Sequence, residues 1–224
     1  MEEVSFISKF DSVYSTMRNI QAAHNATPYA CTGSGICCTI GLRLHISECE
    51  NIANNIRREY WIIAERDGIE VAKEWLQNFI NKLVERMYDE AWEYTGVTDK
   101  KCAFWDGYCR IYEYRPMVCR AYSLIMPEDG RCPRKKLPDG RVFIYHDDTV
   151  KRTIDQYDDT VGAWNEIHDG EDYTVYYAVG ILKYLLPQEE MQKLAATTDE
   201  KFWTGVPGNS HRFRPESWDA EVFN

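Results

Sequence analysis

From Val4 to His24 the apolar side chains Phe6, Phe10, Val13, Met17 and Ile20 recur at spacings of three and four, which predicts an amphipathic helix. Pro28 follows and opens a loop, Cys31-Thr32-Gly33-Ser34-Gly35, whose two glycines permit backbone turns that larger residues resist. Thr39 to Ile46 then predicts a short strand. Directly after it, Ser47-Glu48-Cys49-Glu50 has the spacing of a capping box, with Ser47 as N-cap and Glu50 reaching back. A helix is expected from there to about Arg66, with Cys49 in its first turn. Gly68 interrupts the pattern before a second long helix, Ile69 to about Tyr94. Its Val71, Trp75, Phe79, Leu83, Met87 and Ala91 form one stripe, which we read as core packing rather than cofactor contact.

Between Gly96 and Gly140 the periodicity fades, and Gly96, Gly107, Pro116, Pro127, Gly130, Pro133 and Pro138 share the segment with four cysteines. Irregular backbone of that length is usually functional or externally stapled. Arg141 to His146 alternates as a strand after the Pro138-Asp139-Gly140 turn. Helices are expected over Asp148 to Ile167 and Tyr173 to Leu186, the latter stopped by Pro187, and over Gln188 to Ala195. The pattern predicts a mainly α fold with short β-strands: a single domain, residues 1–196, of amphipathic helices around a cysteine-stapled irregular segment. Thr197 to Asn224 lacks a clear repeat and is expected to form an extended C-terminal tail.

A length of 224 residues suits one well-filled core, and 15 Tyr, 8 Phe and 7 Trp supply bulk that argues against extensive disorder. The formal charge of -10 argues against general nucleic-acid binding, which needs a basic surface. Locally the balance reverses. From Lys100 to Lys136 there are nine basic and four acidic residues, an excess of five positive charges in the stretch richest in cysteine. Guanidinium and ammonium groups there would offset clustered thiolates and favour the thiolate form. A solvated basic face is the plainer account of the same pattern.

Met1-Glu2-Glu3 is not a basic leader followed by an apolar run, and no stretch approaches the roughly 18 apolar residues of a membrane span. The expected location is cytoplasmic. Thiols stay reduced there, so eight cysteines are better explained by metal than by four disulfides. Seven fall into two sets, Cys31-x5-Cys37-Cys38 and the series Cys102, Cys109, Cys119, Cys132. Paired Cys-x2-Cys turns are absent, so a site must be completed by tertiary folding across the 63 residues between Cys38 and Cys102. The candidate ligands are Cys31, Cys37, Cys38, Cys102, Cys109, Cys119 and Cys132, whereas Cys49, on a helix, reads as a buried thiol. None of the five histidines has a paired ligand spacing; His45, seven residues past Cys38, is the best placed of them.

The run Cys109-Arg110-Ile111-Tyr112-Glu113-Tyr114-Arg115-Pro116-x2-Cys119-Arg120, preceded by Cys31-x5-Cys37-Cys38, resembles a family of cysteine-cluster zinc- or iron-chelating proteins. That family's pattern is Cys-x2-Cys-x2-Cys-Cys followed by Cys-x-Ile-Tyr-Glu-x-Arg-Pro-x2-Cys-Arg. The second run matches almost residue for residue; the first departs, with Ser34 where the family often has cysteine. The similarity spans about Cys31 to Cys132 and does not reach the C-terminal third. It implies an iron–sulfur cluster or Zn2+ as cofactor. Flagellin lysine methylases share a similar cysteine pattern, which implies a link to protein modification. This sequence, however, has no Gly-rich loop after a strand to hold an adenosyl cofactor and no Cys-x3-Cys-x2-Cys run.

Glycine-bearing loops near arginines favour a [4Fe-4S]-type cluster, since backbone N–H groups and positive charge stabilise its sulfurs; four thiolates closing a zinc tetrahedron remain the alternative. Arg115 and Arg120 could hydrogen-bond a cluster or an incoming anion, or Arg115 could satisfy loop carbonyls. Tyr112 and Tyr114 are expected to pack. Two function classes follow: a metal- or cluster-binding protein with a redox or protein-modifying role, and a zinc-stapled module that binds another protein without catalysis. The oligomeric state is open.

Overall fold

The structure, a computed structural model, describes residues 2–25, 38, 42–92, 101–125, 148–167 and 174–196. It is mainly helical with one two-stranded sheet, the fold class its periodicities predict. In chain order come α1 (Glu2–Asn25), β1 (Arg43–His45), α2 (Ile46–Asp67), α3 (Ile69–Trp92), a 3-10 turn (Tyr112–Tyr114), α4 (Met117–Ile125), α5 (Asp148–Ile167), β2 (Thr174–Tyr176), α6 (Tyr177–Leu185) and α7 (Gln188–Ala196). Among the described residues, no helix is long and apolar enough to cross a membrane. The expected Cys31–Gly35 loop, the 141–146 strand and the 197–224 tail lie outside the described residues.

These elements group into two compact units. The first holds α1, α4 and α5 around Val13, Met17 and Ile20 of α1, Met117 of α4 and Val150 of α5, with Ile154 and Tyr157 packed against them. The four- and three-residue steps from Val13 to Ile20 place those three on one helical face, which is why α1 buries them. Phe10, half-buried, meets the Tyr157 ring edge-on at 6.0 Å.

The second unit holds β1, α2, α3, the 3-10 turn, β2, α6 and α7. Its strands pair antiparallel in the register Arg43↔Tyr176, Leu44↔Val175, His45↔Thr174, and the central pair is buried. Gly68 joins α2 to α3 with φ of +101°, a left-handed value that favours glycine. α6 packs against both α2 and α3. Its residues Tyr177 to Leu182 are all buried, so it runs through the interior of this unit as a continuously apolar helix. Gly180 is required at the α2 contact: a Cβ there would lie 2.5 Å from Cys49 Sγ and 2.6 Å from Val175 Cγ2.

Four local expectations need correction. The α2 N-cap is His45, not Ser47, because the helix begins at Ile46 and the His45 side chain accepts from the Ser47 N–H. The α3 stripe is displaced at its start: Val71 is 48% exposed and Ala72 is buried, while Phe79, Leu83 and Met87 fill the core. The irregular 96–140 segment contains α4, which carries Cys119. The segment from Thr174 to Tyr176, expected as helix, is β2, because pairing with β1 overrides its helical pattern.

Candidate metal centre

Cys38 and Cys102 come together in the second unit. The Cys102 N–H donates to the Cys38 carbonyl at 2.6 Å, so one backbone hydrogen bond links the two cysteine sets across the intervening chain. Both residues are half-buried. The Cys102 carbonyl is tied in turn, accepting from the Trp105 N–H at 2.9 Å, and the Trp105 ring lies 4.5 Å beneath the Lys101 ammonium. Arg110 N–H closes back on the Phe104 carbonyl at 2.8 Å.

Tyr177, fully buried at the start of α6, bonds the peptide that follows Cys102 and the residue that precedes β1. Its hydroxyl accepts from the Ala103 N–H at 3.0 Å, next to Cys102. Its own N–H donates to the Leu42 carbonyl at 3.2 Å, on the chain that leads from Cys38 into β1. The Phe104 ring stacks between Phe79 and Tyr177 with centroids 5.3 and 5.8 Å away, filling the space behind the 102–104 backbone.

In the first unit, Cys119 sits in the first turn of α4, directly before Arg120, and is half-buried. Arg120 is only 2% exposed. Its Nε donates to the Arg115 carbonyl at 2.9 Å, and its guanidinium lies 5.3 Å from the Tyr14 ring centroid. Gln21 Nε2 donates to the Arg120 carbonyl at 2.8 Å. Arg120 thus satisfies a loop carbonyl, that of Arg115. Arg115 is itself buried. Cys109 is half-buried, two residues after Gly107, whose φ is +75°.

Electrostatics around the turn residues are specific. Burial pushes the Glu59 carboxyl above its usual value, opposed by the nearby Tyr114 hydroxyl and by the charges of Arg58 and Arg110. Tyr114 is buried beside α2 and Tyr112 is half-buried, so both act in packing, as expected. His45 is buried, with Nδ1 2.6 Å from Ser47 Oγ, which commits that nitrogen to capping α2.

Cys49 is fully buried against α6. One turn beyond Gly180, burial lowers the Lys183 ammonium to about 7, with Cys49 and Glu50 opposing the shift. The neighbouring Tyr184 hydroxyl is raised, first by burial and then by Glu50 and Cys49.

Of the candidate ligands, Cys31, Cys37 and Cys132 lie outside the described residues. No disulfide joins any two of the described cysteines. Among the described residues, no group of three or more His, Cys, Asp or Glu side chains is arranged to hold a metal ion. Tyr177 and Gln21 are the supporting residues that sequence reasoning misses, and nothing in their local pattern distinguishes them from core. Comparison with family models, with curated proteins and with solved structures finds no match to this chain.

Proposed function

We propose that this protein binds a metal centre through cysteine thiolates, a [4Fe-4S]-type iron–sulfur cluster in the first reading, with a redox or protein-modifying role. The observation that carries the proposal is the Cys102 N–H to Cys38 carbonyl bond of 2.6 Å, which puts one member of each cysteine set on adjacent backbone. Half-burial suits the role, since a ligand thiol must be shielded yet reachable by the metal. Cys38 and Cys102 form the nucleus, and the sequence offers Cys31, Cys37, Cys109, Cys119 and Cys132 as the pool of further ligands. Soft thiolates fit iron–sulfur clusters and zinc alike.

In the sequence, Arg115 and Arg120 are positive groups of the same motif that would offset thiolate charge. A bound cluster would supply electron transfer, and a bound zinc would supply only a cross-link. The similarity to cysteine-cluster zinc- or iron-chelating proteins supports the same assignment. A reducing compartment such as the cytosol suits such thiols.

A second reading, a zinc staple that lets the helical body bind another protein, is favoured by the α2–α3 hairpin. There Trp61, Ile62, Ile69 and Val71 are all exposed near the Gly68 turn.

Anaerobic purification followed by iron, zinc and sulfide analysis separates the readings. Iron with matching sulfide and broad visible absorption supports the cluster; a colourless protein with one zinc per chain supports the staple. Cys102→Ala, Cys109→Ala and Cys119→Ala should each lower metal content, and Cys49→Ala should not. Full and equal loading of all four variants would eliminate the proposed ligand set.

A further inference from the structure

We infer that Tyr177 is a positioning residue for the Cys38–Cys102 pair, placing part of the metal-site machinery in the C-terminal third of the chain, where no cysteine lies. The inference rests on the metal-binding reading above. Its basis is that the hydroxyl of one buried side chain holds the peptide after Cys102, the residue bonded to Cys38, while its backbone holds Leu42 just before β1, all within the same unit.

As the first residue of α6, Tyr177 has a backbone N–H without an acceptor inside its helix. The Leu42 carbonyl supplies one at 3.2 Å, at the residue that directly precedes β1. The hydroxyl, at the far end of the same residue, accepts from the Ala103 N–H at 3.0 Å and so fixes the peptide that follows Cys102. A tyrosine reaches both because its ring is rigid and buried, held by Phe104 at 5.8 Å. The Cys102 N–H to Cys38 carbonyl bond therefore lies next to a peptide that the Tyr177 hydroxyl holds, rather than standing alone. Hydrogen bonds behind a metal ligand hold its donor atom in place, and their loss loosens the metal without removing a ligand.

Tyr177→Phe tests this in the full chain purified anaerobically with its metal. The substitution keeps the ring and the Leu42 bond and removes the hydroxyl that accepts from the Ala103 N–H. The control is Ile181→Val, a conservative trim of a fully buried side chain on the same helix. Three quantities are measured for wild type and both variants: iron and zinc per chain, the rate of metal loss to a chelator, and hydrogen exchange at the Ala103 amide. We expect Tyr177→Phe to lose metal about tenfold faster, the lower end of such supporting-bond effects, with faster Ala103 exchange. Ile181→Val should leave both unchanged whatever its effect on Tm. A metal-loaded wild type whose loss rate is unchanged in Tyr177→Phe, or equally changed in Ile181→Val, overturns the positioning role and leaves the metal site standing. A wild type that carries neither iron nor zinc overturns the metal reading and this inference with it.

Discussion

Lys183→Met should stabilise the protein at neutral pH and remove much of its stability gain with rising pH. The Lys183 amine is buried on α6, and burial lowers its pKa from 10.5 to about 7, against the favourable charges of Cys49 and Glu50. In the unfolded chain the same amine titrates near its ordinary value. Between about pH 7 and 10.5 the unfolded state thus holds a proton that the native state lacks, and stability rises with pH across that window. Below about pH 7 both states are protonated and the native state carries the full penalty.

The gap of about 3.5 pH units corresponds to about 5 kcal/mol as an upper bound, at about 1.4 kcal/mol per unit. Relaxation and water entry reduce such penalties, and methionine gives up a cation contact with the Tyr184 ring, 5.7 Å away. We expect a net gain of about 2 kcal/mol at pH 7 for a side chain of similar length. Urea titrations of both proteins under reductant, at about pH 6 and about pH 9, give the difference directly; other titrating groups cancel in the comparison. Equal stability at both pH values, or a variant less stable than wild type at about pH 6, would refute the reasoning.

Gly180→Ala should cost about 1–3 kcal/mol, because its methyl group would meet Cys49 Sγ and Val175 Cγ2 inside van der Waals distance. Adding Cys49→Ala should return part of that loss in a chemical-denaturation double-mutant cycle. Along α3, Leu83→Ala should cost about 2–5 kcal/mol, since Leu83 is fully buried, whereas Val71→Ala should change stability by less than about 0.5 kcal/mol. Thermal or urea melts of the pair check the displaced stripe directly.

Long helices with unbroken three- and four-residue spacing were legible in the sequence. The predicted bounds of α5, Asp148 to Ile167, are those observed, and α1 and α3 differ from expectation only at their ends. Short elements were not. α4 spans nine residues between Pro116 and Pro127, too few turns for a periodic signal to rise above the surrounding glycines and prolines. β2 has three residues, and its partner lies at Arg43 to His45, so its state is set by contacts that a local window does not contain. His45 became the α2 cap because its ring nitrogen substitutes for the hydroxyl that capping rules look for. At the candidate site, cysteine spacing points to a junction of two segments, and Cys38 and Cys102 are adjacent. Tyr177, whose hydroxyl accepts from the Ala103 N–H beside them, lies in a stretch of apolar sequence that reads only as helix. A hydroxyl's destination depends on the tertiary fold, which spacing along the chain does not encode.

The antiparallel ladder between Arg43–His45 and Thr174–Tyr176 also dictates an order of events during synthesis. A nascent chain that has emerged only past Cys102 has neither the second strand nor the Tyr177 hydroxyl that holds the Ala103 peptide. Closure of so distant a pairing is slow, and chains waiting for it expose apolar surface. Under the metal-binding proposal, insertion of iron or zinc follows translation of the helix that begins at Tyr177, and ribosome-bound chains stalled before that point should take up metal poorly.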